Sequence, residues 1–273
     1  MVHPLRKIVR VNPGLDNAVR SPYFTRTVDT VYEALLQQTG AFLDSPALSE
    51  ITQRIGKADL DEDTEYLFTE ADAREIRRAV EEHTEPLDSH LDEAVLLALF
   101  IWAYESGGQD FLTRHQIPVT FKLTNQEIIR GMEAYRDQLI VKLDETTKNF
   151  IADQIITGKQ QGLGNEAIAD AIRDKIPQTY EGRAENIVFT ETSNMIGAAQ
   201  QTTAVKNGAS HKEWITVGDE AVDEDCLMNE GAGMIGINAA FPTGHQREPA
   251  HPRCRCTVEY TMMPTLGYYW AGG

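Results

Sequence analysis

Apolar residues recur at helical spacing along most of the first 206 residues of the chain. In the segment 25–38, Val28, Val31, Tyr32 and Leu35 lie three or four positions apart, which places them on one helix face. Capping residues, glycines and prolines divide the rest of this region into further predicted helices. These helices are expected at 45–56, 69–83, 85–108, 124–157, 165–177 and 180–206.

Strand-like patterns follow only after the last of these helices. The segments 211–217 and 255–260 alternate apolar and polar residues and are rich in β-branched and aromatic residues. Between them lies a region rich in Gly, Asp and Pro, which we interpret as loops with one short hairpin at 234–241. The predicted fold class is α+β: a predominantly helical N-terminal part, then a small module with a long helix and a few short strands.

Prolines, glycines and the change of pattern near residue 160 predict four consecutive segments. They are an extended basic arm at 1–24, a helical domain at 25–160, an α+β module at 161–262 and an aromatic tail at 263–273. The module is expected to fold without residues 1–150, and the helices before it are expected to form an interaction surface.

Charge narrows the range of functions. The formal net charge is −17, which disfavours a protein whose main task is to coat DNA. Segment 1–26 is nonetheless basic, while 61–100 carries thirteen acidic residues against three arginines. The basic arm could contact DNA or an acidic partner, or it could simply be solvated. No apolar run is long enough to span a membrane, and no signal peptide is recognisable, so we predict neither a membrane partner nor export.

Candidate chemistry lies after residue 180. Walker, dinucleotide-binding, HExxH and GxSxG motifs are absent from the sequence. Helical spacing places Arg183, Thr190 and Asn194 on one narrow stripe, with Glu191 nearby. We expect Arg183 and Glu191 to bind backbone groups of the following loops. A catalytic Glu191 is the alternative, although no paired acid or nucleophile is evident.

Three cysteines and one histidine form a second candidate site. Cys254 and Cys256 share one face of an extended segment, and His251 and Cys226 could complete a Cys₃His zinc set. The spacing is not that of paired CxxC motifs. We therefore favour three reduced thiols packed in a small core and predict no cofactor, with structural zinc as the alternative.

The order of these motifs resembles the phage Mu F-like minor head proteins, also called the phage head morphogenesis family. The resemblance covers about residues 180–260, and its most distinctive part is His-Pro-Arg-Cys-Arg-Cys-Thr at 251–257. Asp223 stands where family members often have a cysteine or histidine, which weakens the zinc hypothesis. The residues that carry the resemblance as a structural motif are Arg183, Thr190, Glu191, Trp214, Asp219, Asp223 and Gly231.

The resemblance implies a non-enzymatic minor head, or capsid, protein of a tailed bacteriophage or prophage. Such a protein would act in head assembly at the portal vertex, and in DNA packaging or delivery. Its partners would be the portal protein and the major capsid protein, together with packaged DNA if the basic arm contacts it. It would reside in the virion, in the head interior or at the portal vertex, after assembly in the host cytoplasm. The alternatives are an enzyme domain, either ADP-ribosyltransferase-like or a metal-dependent hydrolase, and a DNA-contacting internal virion protein.

Overall fold

A computed structural model describes residues 13–55 and 68–262, and helices dominate this part of the chain. The helices are α1 (Pro13–Val19), α2 (Pro22–Asp44), α3 (Ala47–Ile55), α4 (Glu70–His83), α5 (Glu93–Arg114), α6 (Gln126–Gln160), α7 (Asn165–Lys206) and α8 (Glu224–Gly231). The strands are β1 (Ala209–Ile215), β2 (Met234–Gly236) and β3 (Thr257–Met262). The predicted helix-rich α+β class is confirmed. None of the helices described is both long and apolar enough to cross a membrane.

Contacts group the chain into two compact units. One unit combines the described parts of Met1–Thr25, Ala98–Gln126 and Asn186–Gly273, and the other combines Arg26–Leu97 and Glu127–Glu185. These units interleave along the chain, whereas the predicted segments follow one another. The predicted aromatic tail, 263–273, lies outside the described residues.

The predicted extended arm is wrong where the structure describes it, because residues 13–24 are mostly helical. Pro13 and Pro22 begin α1 and α2 instead of breaking the chain. Proline suits a first helical position, where its missing N–H would have had no partner within the helix. Ser21 caps α2 by accepting a hydrogen bond from the Phe24 N–H at 3.1 Å. Residues 1–12 of the arm lie outside the described residues.

Local capping signals placed other helices correctly. The Thr69 side chain accepts a hydrogen bond from the Asp72 N–H at 3.3 Å, and Asp72 Oδ2 accepts one from the Thr69 N–H at 2.7 Å. This reciprocal capping box satisfies two backbone donors at the start of α4. The helix predicted at 69–83 is therefore confirmed.

The structure corrects both ends of the most apolar predicted helix. A single 3₁₀ turn, Leu87–Ser89, precedes α5, and α5 continues through Gly107 and Gly108 to Arg114. Both glycines lie inside α5, where the lack of a side chain lets other parts of the chain pack closely against the helix. A Cβ at Gly107 would lie 2.6 Å from the Ile196 carbonyl oxygen, and one at Gly108 would lie 2.5 Å from the Phe121 ring.

Pro177 does not end a helix, which corrects a second prediction. It lies inside α7, which is continuous from Asn165 to Lys206. Proline removes one helical hydrogen bond and normally disfavours a helix interior. Here Ile172 and Tyr180 on either side are fully buried, and the Tyr180 hydroxyl lies 2.7 Å from Thr39 Oγ1. We infer that this burial and hydrogen bonding outweigh the local cost.

The three strands form one antiparallel sheet in the order β2-β1-β3. Its register aligns Trp214 with Val258, and Lys212 with both Tyr260 and Ile235. The hairpin expected at 234–241 is wrong, because β2 pairs with β1 and residues 237–241 leave the sheet. The other two strands are confirmed with bounds shifted by about two residues.

The sheet packs into a core that also contains residues of α5. Besides sheet residues, this cluster includes Phe111 and Leu112 of α5, both buried. Truncation at residue 150 would remove them and leave apolar surface exposed, which costs stability in proportion to its area. The expectation that the C-terminal module folds without residues 1–150 is therefore not supported. The buried members of the cluster are Phe111, Leu112, Ala204, Ala209, Trp214, Cys226, Phe241, Cys254, Cys256, Val258 and Tyr260.

The close contact at Gly107 gives a test of this packing. Gly107→Ala should lower the free energy of unfolding by about 2 kcal/mol, because the new methyl group meets the backbone of Ile196. Gly131→Ala in α6 is the matched control, since nothing lies within 4 Å of its Cβ position. That control should gain about 0.5–1 kcal/mol from helix propensity. Urea unfolding measures both, and equal effects of the two substitutions would contradict the close contact.

Candidate functional site

The candidate site is built around residues 237–256, which connect β2 to β3 without a helix or strand. A connection of this length inside a compact unit is unusual and needs specific contacts to order it. We call it the β2–β3 segment. Residues from α7, α8 and β1 form hydrogen bonds with its backbone and side chains.

Helix α8 was missed by the sequence analysis, which placed these residues in loops. Asp223 is its N-cap and accepts a hydrogen bond from the Asp225 N–H at 3.0 Å. The first turn also carries Glu224 and Asp225, whose charges suit the positive end of a helix. The sequence signal for this helix was a capping aspartate followed by two acidic residues. With only eight residues, α8 is too short to show a clear helical period.

Two polar side chains of α8 hold its neighbours. Asn229, fully buried, accepts hydrogen bonds at its Oδ1 from the Thr243 N–H at 3.2 Å and the Thr243 hydroxyl at 2.8 Å. Glu230 accepts hydrogen bonds from the N–H and hydroxyl of Thr216 at 3.0 and 2.9 Å. The helix is therefore attached both to the β2–β3 segment and to the residue after β1.

The predicted motif residue Gly231 is only the last residue of α8, and a Cβ there would meet nothing within 4 Å. Gly233, two residues later, has the positive φ of 62° that leads the chain into β2. The conformational requirement for glycine in this turn therefore lies at Gly233.

Lys212 of β1 forms hydrogen bonds with the β2–β3 segment. Its side chain is fully buried, and Nζ donates to the carbonyl oxygen of Gln246 at 2.7 Å and to Gln246 Oε1 at 2.9 Å. Burial, together with the nearby Arg247 guanidinium, lowers the pKa of Lys212 to about 8. The ammonium also lies 5.2 Å from the centroid of the Phe241 ring. Phe241 in turn packs edge-on against Trp214, with ring centroids 5.2 Å apart.

The polar stripe of α7 reaches the same segment through two residues. Thr190 Oγ1 accepts a hydrogen bond from the backbone N–H of Arg253 at 3.2 Å, where Arg253 has a φ of 58°. Asn194 Oδ1 accepts one from Arg247 Nη2 at 2.9 Å. Glu191 is buried in the same helix turn. The predicted contact between the stripe and the following loops is thus made by Thr190 and Asn194.

Arg183, predicted to contact the same loops, instead binds α6. Its guanidinium donates to Thr147 Oγ1 at 3.0 Å, to the Leu143 carbonyl oxygen at 3.1 Å and to Thr146 Oγ1. This corrects the expectation from the sequence. Helical spacing placed Arg183 on the correct stripe, but the stripe extends over several turns, and its N-terminal end faces a different neighbour.

The three cysteines converge, as the sequence suggested. Their sulfur atoms all lie within 4.8 Å of one another, and Cys226 Sγ is 3.6 Å from Cys254 Sγ. All three thiols are free and buried. Hydrogen bonds from the thiols of Cys226 and Cys256, and from the backbone N–H groups of Ala250 and Cys256, lower the pKa of Cys254.

The extended backbone before β3 explains why Cys254 and Cys256 both face the protein interior. Both cysteines precede β3 rather than lying within it, which corrects the predicted strand start. Extended alternation still turns Cys254 and Cys256 inward and Arg255 outward. Arg255 pairs with Asp219 at 2.7 Å across a half-exposed surface, which gives this predicted motif residue a structural partner.

His251 is not part of the thiol group. Its ring is half-buried, and Nδ1–H donates to the carbonyl oxygen of Pro252 at 2.9 Å. Among the described residues, no histidine or carboxylate joins the three sulfur atoms within the 4.8 Å that separates them. Of the predicted Cys₃His set, the structure therefore brings together only the three cysteines.

Glu248 was not singled out by the sequence analysis, yet it is the most unusual charged residue of the segment. It is fully buried, and neither carboxylate oxygen has a hydrogen-bond partner among the described residues. Burial raises the pKa of Glu248 to about 7. Its backbone lies against α7 at Gly197, where a Cβ would come within 2.7 Å of the Glu248 carbonyl oxygen. A lone Glu next to Pro249 gave no sequence signal for this burial.

Most of the motif residues take part in hydrogen bonds or ion pairs that hold the fold together, as Thr190, Asp219 and Asp223 do. The buried thiols can pack or bind a soft metal ion, but they are not exposed to a substrate. In a comparison of sequences, residues 149–259 match the family model described as phage Mu protein F like protein. The match covers less than half of the chain, and we call the similar stretch the Mu F-like module.

The Mu F-like module begins within α6 and ends within β3, so it starts earlier than the 180–260 range recognised from motifs. It includes the thiol cluster, α8 and the whole β2–β3 segment. The matched family is associated with phage head morphogenesis. No curated protein and no solved structure matches the chain.

The raised pKa of Glu248 predicts a pH-dependent stability difference. A carboxyl with a folded pKa of about 7 against an ordinary 4.5 imposes no penalty below pH 4.5. The penalty grows as the pH rises and levels off above 7, at about 3 kcal/mol. Glu248→Gln, which mimics the protonated form, should therefore be about 3 kcal/mol more stable than the unmodified protein at pH 8 but less than about 1 kcal/mol more stable at pH 5.

Urea unfolding at both pH values measures this difference. The groups that influence Glu248 electrostatically are Arg247, Lys212, Cys254 and Tyr260. Glu220→Gln, at an exposed position, is the control and should change the free energy of unfolding by less than about 0.5 kcal/mol at either pH. A Glu248→Gln effect of the same size at pH 5 and pH 8 would contradict the raised pKa.

Proposed function

We propose that this chain is a minor head protein of a tailed bacteriophage or prophage that acts at the portal vertex during head assembly. The observation that carries the proposal is the phage Mu F-like match across residues 149–259. In this proposal the protein meets the portal protein and the major capsid protein in the host cytoplasm. It then remains in the virion, at the portal vertex or in the head interior, where it assists DNA packaging or delivery.

The use of polar residues in the Mu F-like module supports an architectural role over an enzymatic one. Asn229, Glu230 and Thr190 each hold a backbone group of an irregular connection. Side chains engaged in this way stabilise one conformation of the segment, whereas a catalytic group must be available to substrate.

The acidic helix α4 supports the choice of the second unit as an assembly surface. Glu70 is 97% exposed at its side chain, and Glu82 is 47% exposed. Their only ion-pair partners among the described residues are Arg74 and Arg78 of the same helix. Exposed pairs of this kind contribute little to stability, so the acids can exchange them for basic groups of a partner.

Incorporation into heads tests this proposal. Glu70→Lys combined with Glu82→Lys should reduce the amount of protein in purified heads at least about tenfold, since like charges now oppose a basic partner. The matched control is Asp16→Lys combined with Glu220→Lys, which makes the same charge change at exposed positions of the first unit. The control should be incorporated normally. Quantitative mass spectrometry of purified heads measures both.

Two results would contradict the proposal. Absence of the unmodified protein from purified heads would exclude a minor head protein. Normal incorporation of the α4 variant would show that this surface does not contact the partner. A salt-sensitive DNA complex that is lost on replacing Arg6, Lys7 and Arg10 with alanine, without copurification of portal or capsid protein, would favour the internal DNA-contacting alternative.

A further inference from the structure

We propose that Cys226, Cys254 and Cys256 bind one Zn²⁺ ion through three thiolates and that this ion fixes the β2–β3 segment to α8. The proposal depends on the geometry of the thiol cluster and is independent of the role in head assembly. It departs from the metal-free cluster favoured from the sequence, and it replaces the alternative Cys₃His set with a three-thiolate site that excludes His251.

The sulfur atoms have the spacing that a shared metal ion requires. A Zn–S bond of about 2.3 Å in a tetrahedral site places neighbouring sulfur atoms about 3.8 Å apart. Cys226 Sγ and Cys254 Sγ are 3.6 Å apart, and all three sulfur atoms lie within 4.8 Å of one another. Small adjustments of the side chains would therefore suffice to bring three thiolates to one ion.

The cluster joins parts of the chain that are distant in sequence. Cys226 lies in the first turn of α8, while Cys254 and Cys256 lie just before β3. Beyond this cluster, α8 is attached through Asn229 and Glu230, both in its last turns. An ion at Cys226 would secure the other end of the helix, and the free energy of metal binding would then contribute to folding.

The ligand type decides which ion the cluster suits. All three cysteines are free and buried, so each can offer a sulfur atom to one ion. Soft thiolate ligands select Zn²⁺ or Cu⁺ over the hard cations Mg²⁺ and Ca²⁺, and we commit to Zn²⁺.

No fourth protein ligand is assigned. His251 directs Nδ1–H at the Pro252 carbonyl oxygen and does not join the sulfur group, and Asp223 is occupied as the N-cap of α8. A water molecule is therefore expected at the fourth position. When the ion binds, each thiol loses its proton to solvent, and no oxidation or reduction takes place.

Metal analysis of the full-length protein tests the proposal. Protein purified under reducing conditions and passed through gel filtration should contain about one zinc per chain. The Co²⁺-substituted protein should show sulfur-to-cobalt charge-transfer absorption. Native protein should resist a thiol reagent until a strong chelator is added, after which all three cysteines should react. These measurements need no variant and therefore do not depend on a variant that folds.

Variants then assign the ligands. Cys226→Ser should reduce the zinc content at least about tenfold, whereas His251→Ala should retain it in full. Zinc far below one per chain together with no charge-transfer band would overturn the proposal. So would a Cys226–Cys254 disulfide in the purified protein. Loss of zinc in His251→Ala would overturn the three-thiolate assignment, as would full zinc retention in Cys226→Ser.

Discussion

The constraint on which the Mu F-like module depends is the need to satisfy the backbone of a twenty-residue irregular segment, 237–256, packed on a buried core. Buried N–H and C=O groups without partners cost about as much as a lost hydrogen bond. A helix or a sheet satisfies these groups internally throughout, whereas this segment does so only in places, as where the Phe241 N–H donates to the His245 carbonyl oxygen at 2.9 Å. Side chains from three other elements therefore supply the missing partners: Thr190 from α7, Asn229 from α8 and Lys212 from β1.

The same constraint explains why several charged or polar residues are buried close together. Lys212 is tolerated in the core because Nζ donates two hydrogen bonds to Gln246 and lies over the ring of Phe241. Glu248 has no such compensation, and its carboxyl responds by favouring the proton. The long helices contribute by approaching closely, with glycine at Gly107 and Gly197 where backbone meets backbone. The buried charges of this module and its close backbone contacts therefore both follow from the packing of the β2–β3 segment on the core.

Sequence reasoning succeeded where the signal was local or periodic. The capping box at Thr69 and Asp72 fixed the start of α4, and alternation placed Cys254 and Cys256 on one face. It failed where tertiary packing decides between alternatives. Gly107 and Pro177 carry strong helix-ending propensities, but close approach to Ile196 and burial of the neighbouring side chains keep both residues inside helices. Helix α8 was too short for its period to show.

In the candidate site, too, some features could be predicted from sequence patterns, whereas others depend on tertiary packing. Motif order identified the Mu F-like module and the convergence of the three cysteines, because both depend on residue type and spacing. The partners of Arg183, His251 and Glu248 depend on how distant segments fold onto each other, so no sequence pattern contained them. Most motif residues in this chain make structural contacts, as Thr190, Asp219 and Asp223 do.

Native-state hydrogen exchange of the β2–β3 segment tests most directly the claim that side chains from other elements hold this segment to the core. The backbone N–H groups of Thr243 and Arg253 donate to Asn229 and Thr190, and they should exchange about as slowly as those of β1. Exchange of Thr243 and Arg253 at the rate of an unstructured peptide, while β1 stays protected, would contradict the account.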